Sequence, residues 1–350
     1  MIYGNMVKTL FLYYDPHYSH AELAKAVNAY FFPAPKLVSG PKSLAKKLIG
    51  IASILYSVFT IPKGYEVYLC EGTYIFPALA KKIGLIKRES LIIDILASPL
   101  VYYLNTGVVD GLEKKFALDM LKYVDGFICI GKMEEELIKN LIPSARTMIT
   151  YPFPKPELRK ELLKQSHKTP DFDSNKILMI GRGDAYYKGI DILSAAFKIV
   201  KEKFPNSELD IVGEAKWLKS YGDNGIGIKI LGFIKDITGI MKSSSLYVHL
   251  GRGDAFPVSS MEAMLAGLPT IVSNETGTKE VVKKVNKNLI VPLNANEVAK
   301  KIEWYFRLKR YQKIKLSKEL YKSIKPLNKK DIIHKFKKDY KKFISDLLIT

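Results

Sequence analysis

Two acidic residues, Asp254 and Glu262, stand in the most informative segment of the chain with seven residues between them. Asp254 follows the short apolar run Leu246–Leu250, which is typical of a buried parallel strand. Glu262 lies in a segment, 258–266, whose apolar residues recur at helical spacing and which ends at Gly267. We therefore expect Asp254 in a loop at the carboxyl end of a strand, and Glu262 about one turn into the helix that follows.

This arrangement favours the binding of a phosphorylated ligand. In open α/β sheets, ligands bind in the crevice outside the carboxyl ends of the strands. The amino end of the helix would add free N–H groups and a partial positive charge, both of which suit a phosphate. The alternative is an ordinary strand–helix–strand unit with a solvated aspartate and a glutamate on the helix surface.

A pair of cations, Arg182 and Lys188, occupies a similar position elsewhere in the chain. They lie six residues apart in a loop that follows the strand expected at Lys176–Ile180 and leads into a helix. The letters GRGDA occur at both Gly181 and Gly251, each time after an apolar run, so we expect the two loops to face one ligand at the same rim of a sheet. The alternative is that both cations are plain surface charges. Even as a ligand-binding residue, Lys188 is expected to contribute little stability, because it is a loop cation.

Taken together, these residues resemble the E-x7-E signature of the family-four retaining glycosyltransferases. Asp254 stands where that family usually has glutamate, and Pro257 where a small residue is usual. The similarity is specific over residues 176–280 and loose before residue 130. It implies an α/β protein of the GT-B fold, with two doubly wound Rossmann-like domains whose parallel sheets face an inter-domain cleft.

The resemblance also implies an activity, which is transfer of a sugar from a nucleotide-diphosphate-sugar to a glycan, a lipid-linked acceptor or another hydroxyl, with retention of configuration. The donor would be a UDP- or GDP-sugar, and neither a cofactor nor a metal would be required. Asp254, Arg182 and Lys188 are the implied catalytic residues: Asp254 orients the sugar, and the two cations stabilise the charge of the leaving diphosphate. The remaining donor-binding residues would be Glu262 at the ribose, the amides of Val258 and Ser259 at the phosphate, and Gly181 and Phe256.

Four residues of the amino-terminal half are candidates for the acceptor side. Ser19 and His20 stand where the family usually has a Gly-Gly pair, and Ser19 with Glu22 predicts a helix capping box. Asp94 and Ser98 are the polar residues near the point where the family often has a histidine. For His20, a solvated residue of the capping loop is the favoured interpretation.

Strands alternating with helices predict two parallel-sheet domains. Residues 1–155, completed by a basic helix at 329–350, would form the first domain, 156–173 a linker, and 174–325 the nucleotide-sugar-binding domain. In the first domain we expect strands at Lys8–Tyr14, Tyr65–Cys70, Ser90–Ile95 and Phe127–Gly131 and helices at Ile75–Ile83 and Lys132–Leu141, the last strand and helix before the linker.

A net charge of +20 over 350 residues is the main compositional signal, and +11 of it lies in residues 301–350, from sixteen Lys/Arg and five Asp/Glu. Such an excess suits anionic membranes, phosphorylated substrates or nucleic acid, although a lysine-rich, thermophile-like proteome is the favoured explanation. The segment Lys42–Phe59 is basic at one end and apolar at the other. It predicts either a membrane-surface helix or, as the favoured interpretation, a buried crossover helix.

Several other classes of site are disfavoured. His249 and His334 lie inside expected elements without a nucleophile motif, and two cysteines with five histidines make no convincing metal site. Cys70 and Cys129 are expected to be buried thiols, and the Asp171–Asp173 pair lies in the expected linker. We expect a cytoplasmic protein, peripheral on an anionic inner membrane face, that does not bind nucleic acid. The alternatives are a nucleotide-sugar fold without activity and a basic membrane- or nucleic-acid-binding protein.

Overall fold

The computed structural model describes residues 7–35, 44–96, 99–165, 170–181, 186–213 and 226–349, with the backbone alone for 44–49 and 165. The chain divides into two units. The first consists of Met1–Tyr151 with Lys330–Thr350, and the second of Pro152–Lys329. Each unit is built on its own parallel sheet.

In the first unit, six strands of the described residues pair in the order β2-β1-β3-β4-β5-β6, and every pairing is parallel. Because β2 lies on one side of β1 and β3 on the other, the strand order changes direction between β1 and β3. The strands are β1 Thr9–Tyr13, β2 Tyr30–Pro33, β3 Val67–Glu71, β4 Leu91–Leu96, β5 Gly126–Ile130 and β6 Thr147–Thr150.

Helices connect these strands, as parallel pairing requires. They are α1 Tyr18–Ala26, α2 Leu44–Thr60, α3 Ile75–Lys82, α4 Leu100–Thr106, α5 Gly111–Leu121 and α6 Lys132–Leu141, and the carboxyl-terminal helix Lys329–Leu348 is described below. Strand β4, of sequence LIIDIL, is buried throughout, as expected for a central strand covered on both faces.

The basic carboxyl-terminal helix, Lys329–Leu348, packs on the first unit as predicted. Its expected apolar stripe is buried: Ile332, Phe336, Tyr340, Phe343 and Leu347. Contact with the sheet is close, because a Cβ built on Gly126 of β5 would lie 2.6 Å from the Phe343 ring. The apolar stripe therefore packs inside the protein, and most of the lysines of the helix lie on its exposed face.

The second unit contains the other parallel sheet, whose strands pair in the order β12-β11-β10-β7-β8-β9. This is the doubly wound Rossmann order, and it changes direction between β7 and β10, where such folds bind their ligands. The strands are β7 Lys176–Ile180, β8 Glu208–Val212, β9 Ile228–Gly232, β10 Leu246–His249, β11 Thr270–Ser273 and β12 Ile290–Val291.

The helices of this unit are α7 Pro156–Gln165, α8 Ile190–Lys203, α9 Ile237–Lys242, α10 Val258–Leu265, α11 Lys279–Val285, α12 Ala295–Phe306 and α13 Arg310–Ile324, so that the carboxyl-terminal helix is α14. Side-chain caps fix some of the starts: Asn294 accepts a hydrogen bond from the Glu297 N–H at 3.2 Å ahead of α12. Gly267, at φ +83°, ends the turn after α10 as predicted.

Some sequence predictions of local structure are wrong. Residues 156–165, assigned to the linker, form α7, a short amphipathic helix that the weak apolar periodicity did not reveal. Strand β6 follows α6, so α6 is not the end of the sheet, and the edge strand β2 was not predicted. The capping box is absent, because α1 begins at Tyr18 and the Ser19 hydroxyl pairs with the His17 ring.

Helix α2 departs from the favoured interpretation of a covered crossover helix. Val58 is buried, but four apolar side chains of its second half are largely exposed: Ile51 at 55%, Leu55 at 46%, Tyr56 at 68% and Phe59 at 62%. Ile51, Leu55 and Phe59 follow one another at intervals of four residues, so they lie on one side of the helix. We call these four residues the α2 apolar face.

Candidate functional site

The loops that follow β7 and β10 meet at the point where the strand order of the second sheet changes direction. The Arg252 N–H donates to the Tyr187 carbonyl at 2.8 Å. Gly189, at φ +72°, approaches Leu250 so closely that a Cβ would lie 2.1 Å from the Leu250 carbonyl oxygen. For residues 186–189, the expectation that the two loops come together is confirmed.

Lys188 and Asp254 form the centre of this site. The Lys188 ammonium donates to Oδ2 of Asp254 at 2.7 Å, and Nε2 of His249 lies 2.9 Å from the same oxygen. Lys188 also lies over the ring of Tyr187, with Nζ 4.9 Å from its centroid. Sequence analysis selected the first two residues but discounted His249, which stands at the last position of β10.

The electrostatics of the three residues are coupled. Burial by itself would raise the pKa of Asp254, but the charge of Lys188 and the hydrogen bonds from His249 and Lys188 hold it below its ordinary value. Burial lowers the pKa of His249, against the opposing effect of Asp254. At neutral pH, Asp254 is therefore a carboxylate and His249 a neutral imidazole. Because a carboxylate can only accept, Nε2 of His249 carries the proton and donates it to the shared hydrogen bond.

A second loop holds the backbone of Asp254 in place. The Gly277 N–H donates to the Asp254 carbonyl at 2.9 Å, and the Gly253 N–H donates to the Glu275 carbonyl at 3.0 Å. A Cβ at Gly277 would lie 1.6 Å from the carbonyl oxygen of Ala255, so only glycine permits this approach. The position of Asp254 is thus determined by backbone contacts as well as by its side-chain partners.

Arg252 fastens the loop after β10 to the start of α8. Its guanidinium makes a two-pronged ion pair with Asp191, at 2.9 and 2.8 Å, and stacks 3.8 Å above the ring of Tyr186. Arg252 was not selected from the sequence, although it occupies in the second GRGDA copy the place that Arg182 has in the first. Here the arginine serves to join two loops.

Helix α10 begins directly after this loop, with Pro257 at its N-cap and Val258 and Ser259 as its first two residues. The Ser259 hydroxyl accepts a hydrogen bond from Tyr247 at 2.9 Å, which links the start of the helix to β10. Glu262 is half-buried in the second turn. Burial raises its pKa to about 7, against the opposing charge of Lys155, another residue that sequence analysis did not select.

The structure brings most of the predicted donor-binding residues together. Gly181 lies beside Lys188, since a Cβ on it would be 3.5 Å from the Lys188 side chain, and Phe256 is buried in the loop before α10. Arg182 lies outside the described residues. Asp173, of the discounted Asp171–Asp173 pair, forms an ion pair with Arg310.

Three acceptor-side candidates, Ser19, His20 and Asp94, are described in the first unit, and the last two contact residues at or directly after the carboxyl end of β3. His20 is 3% exposed, and its Nδ1 donates to Oε1 of Glu71 at 2.5 Å. The Gly72 N–H donates to Oδ1 of Asp94 at 3.2 Å, and burial raises the pKa of Asp94 well above its ordinary value. His20 is therefore not a solvated loop residue.

Glu71 is the member of this second cluster that sequence analysis missed. It follows the apolar run of β3 at the carboxyl end of the strand, which is the signal that could have identified it. Besides His20, it accepts a hydrogen bond from the His17 N–H at 3.1 Å. Ser19 is buried at the start of α1, and Ser98 lies outside the described residues.

Comparison with known proteins gives this site a context. Residues 160–325 match the model of the family described as glycosyl transferases group 1. A segment of 129 residues is 30% identical to the phosphatidyl-myo-inositol mannosyltransferase of Mycolicibacterium smegmatis, covering 35% of this chain and 33% of that protein. Another segment, of 179 residues, is 27% identical to the Escherichia coli UDP-Gal:alpha-D-GlcNAc-diphosphoundecaprenol alpha-1,3-galactosyltransferase. It covers 49% of this chain and 46% of that protein. The matched segments thus span less than half the length of these two relatives.

Solved structures match over nearly the whole chain. The crystal structure of Anabaena HepE in complex with UDP and glucose superposes with a TM-score of 0.64 at 15% identity, over 97% of this chain and 99% of that one. The Escherichia coli trehalose-6-phosphate structure bound with UDP-2-fluoro glucose superposes with a TM-score of 0.68 at 12% identity, over 97% of this chain and 99% of that one. At these identities the likeness concerns the fold. Residues 160–325 are therefore similar to the glycosyl transferases group 1 family, in a chain that has the GT-B fold of two Rossmann-like domains.

Proposed function

We propose that this protein is a retaining glycosyltransferase that moves a hexosyl group from a nucleoside-diphosphate sugar to a hydroxyl acceptor. The observation that carries the proposal is the Lys188–Asp254 pair, which lies at the strand-order reversal of a nucleotide-binding type of sheet and directly before the amino end of α10. A cation, a carboxylate and a helix amino end are the groups that a diphosphate sugar requires.

Each residue of the donor site has a separate role in this proposal. Lys188, together with Arg182, stabilises the negative charge that grows on the diphosphate as its bond to the sugar breaks. The amides of Val258 and Ser259 donate to the phosphates from the first turn of α10. Asp254 accepts hydrogen bonds from sugar hydroxyls, and Glu262 accepts them from the ribose of a uridine or guanosine nucleotide.

In the transfer step, the bond between the anomeric carbon and the phosphate oxygen breaks, and the acceptor oxygen bonds to that carbon from the same face. The acceptor proton goes to an oxygen of the departing diphosphate, so the chain itself need not take it up. The nucleoside diphosphate leaves, and the new glycosidic bond keeps the configuration of the donor. Asp94 and the His20–Glu71 pair are proposed to bind the acceptor in the first unit.

The two curated relatives described above act, by their names, on a phosphoinositide and on a diphosphoundecaprenol-linked sugar. We propose by analogy a lipid-linked acceptor and a protein that is peripheral on an anionic membrane. Two exposed features support this: the α2 apolar face, and a set of exposed lysines on α14, namely Lys330, Lys335, Lys337, Lys338, Lys341 and Lys342. No helix of the described residues has the length and apolarity needed to cross a bilayer.

Calorimetric titration with UDP, GDP and their sugars tests the first step of the proposal. Binding of at least one nucleotide-sugar by the wild type, weakened in a Lys188→Met variant, is the expected result. A basic membrane- or nucleic-acid-binding protein would bind none of them. Turnover with a lipid-linked acceptor, with the anomeric configuration of donor and product compared by NMR, then separates an active retaining enzyme from an inactive relative.

A further inference from the structure

His249 is a polar residue in an unusual place. It is fully buried at the end of β10, between the second sheet and the loop that carries Asp254. Its ring lies parallel to that of Tyr247, with centroids 6.5 Å apart. Nδ1 is buried and has no hydrogen-bond partner within the described part of the chain. A leucine or phenylalanine would fill this place without leaving a buried nitrogen unsatisfied, so the imidazole needs another explanation.

The explanation lies in the other ring nitrogen. Nε2 donates to Oδ2 of Asp254 at 2.9 Å, and Lys188 donates to the same oxygen at 2.7 Å. The carboxylate is therefore held through one oxygen by two donors.

The backbone is built around the same contact. A Cβ at Gly251 would lie 2.9 Å from Nε2 of His249 and 2.7 Å from Cβ of Asp254. The first glycine of the second GRGDA copy is thus the position at which any side chain would separate the histidine from the aspartate. The space is reserved for the His249–Asp254 contact, which is an observation independent of the hydrogen bond itself.

Lys188 and His249 differ in what happens when a diphosphate arrives. Lys188 is the cation that the diphosphate attracts, so its bond to Asp254 must weaken as the donor binds. His249 is fully buried and neutral, so it has no charge with which to attract a diphosphate. We propose that His249 is a positioning residue, which keeps Asp254 oriented toward the donor sugar while Lys188 changes partner from Asp254 to the diphosphate. This inference rests on the proposed function.

The test compares three variants by calorimetry with UDP, GDP, UDP-glucose and GDP-mannose. His249→Phe keeps a ring but removes the donor, and His249→Gln keeps an N–H donor on a side chain of similar reach. Val248→Ala, at the neighbouring buried position of β10, is the matched control for a general loss of packing. We expect His249→Phe to weaken binding of the nucleotide-sugar about 10-fold or more, as losing a hydrogen bond to a charged group does. Bare nucleotide should keep its affinity, and His249→Gln should recover most of the loss.

A ¹⁵N spectrum of the His249 ring provides a readout that does not depend on the sugar. The resonances should show a protonated Nε2 and a bare Nδ1 at neutral pH, and this pattern should persist when bare nucleotide is added. Three results overturn the proposal: the opposite tautomer, equal weakening of nucleotide and nucleotide-sugar in His249→Phe, or a His249→Phe variant that binds like the wild type. Failure of the wild type to bind any nucleotide-sugar would instead refute the proposed function, and this role with it.

Discussion

Lys188 and Asp254 form a 2.7 Å ion pair from which water is largely excluded, with the lysine side chain 18% and the aspartate side chain 11% exposed. The sequence suggested that Lys188 is a loop cation of little consequence for stability, but with this partner we expect its removal to cost stability. Charges removed from water depend on their partner, and removing one partner leaves the other uncompensated. The proposed donor site is therefore held together by the same two groups that are proposed to bind the donor.

Replacing Lys188 with alanine should affect both activity and stability. We expect turnover to fall about 10²–10³-fold, which is typical of losing one preorganised donor. The free energy of unfolding should fall by roughly 1–3 kcal/mol, less than for a fully buried pair because His249 still donates to Asp254. Steady-state kinetics on the folded variant and thermal melts check the two effects.

The double variant Lys188→Ala/Asp254→Asn separates the ion pair from other effects of the lysine. Removing both charges should recover part of the lost stability, because no uncompensated carboxylate remains. Lys198→Ala, an exposed lysine of α8, serves as the control and should change neither property. Wild-type turnover in a folded Lys188→Ala protein would exclude a role at the leaving group.

The two acids should differ in what they recognise. Glu262→Gln keeps the shape of the side chain and removes its charge, so it should weaken binding of the bare nucleoside diphosphate by losing ribose contacts. Asp254→Asn should leave the bare nucleotide almost unaffected and weaken the nucleotide-sugar. Calorimetry with both ligands measures this, and equal weakening of the bare nucleotide by both substitutions would contradict the assignment.

Glu262 also predicts a dependence of stability on pH. Its pKa in the folded protein, about 7, is above the ordinary glutamate value of 4.5, so the folded state holds the proton more tightly than the unfolded state. The stabilisation that protonated Glu262 provides is fully present below pH 4.5, falls as the pH rises toward 7, and is absent above pH 7. The glutamine of Glu262→Gln does not titrate. The melting temperature of this variant minus that of the wild type should therefore increase between pH 4.5 and 7 and remain constant above pH 7. A difference that is constant across this range would show that Glu262 ionises normally.

The close approach of Gly277 to Ala255 predicts a sharp contrast between two glycines. Gly277→Ala places a methyl group against a backbone carbonyl and should cost at least about 1–3 kcal/mol, while displacing the loop that carries Asp254. Gly239→Ala, in α9, meets nothing within 4 Å and should stabilise the protein by about 0.5–1 kcal/mol. Chemical denaturation of both variants provides the comparison, and equal effects would mean that the loop can shift at no cost.

Membrane association can be measured by flotation with vesicles. We expect binding to vesicles rich in anionic lipid, weakened at high salt because exposed charges are screened over about 8–10 Å at 0.1–0.15 M. Replacing Ile51, Leu55 and Phe59 with serine should reduce binding at every salt concentration, because it removes apolar rather than ionic contacts. Phe233→Ser, at an exposed apolar residue of the second unit, is the control. Equal recovery in the soluble fraction with neutral and anionic vesicles at low salt would contradict membrane association and favour a soluble acceptor.

Much of the secondary structure was predictable because it is encoded locally. The apolar runs of β4 and β10, the periodic residues of α10 and the stripe of α14 report burial through their spacing alone. Short or weakly patterned elements, such as β2, β6 and α7, were missed because their formation depends on neighbours distant in the sequence. The α2 apolar face was misjudged for a related reason, since an apolar sequence does not reveal which of its sides the rest of the protein covers.

The sequence by itself identified the residues of the proposed donor site, because the acid-to-acid spacing and the Arg182–Lys188 spacing are properties of single continuous segments. The tertiary structure decided which of these residues interact. Arg252 and Glu71 were not selected from the sequence, and each gains its partner, Asp191 and His20 respectively, only when parallel strands place separate segments of the chain side by side. An ion pair such as Lys188–Asp254 joins residues 66 positions apart. Its burial and the charge of Lys188 together determine the pKa of Asp254, and this environment is a property of the folded sheet that no local pattern of residues can specify.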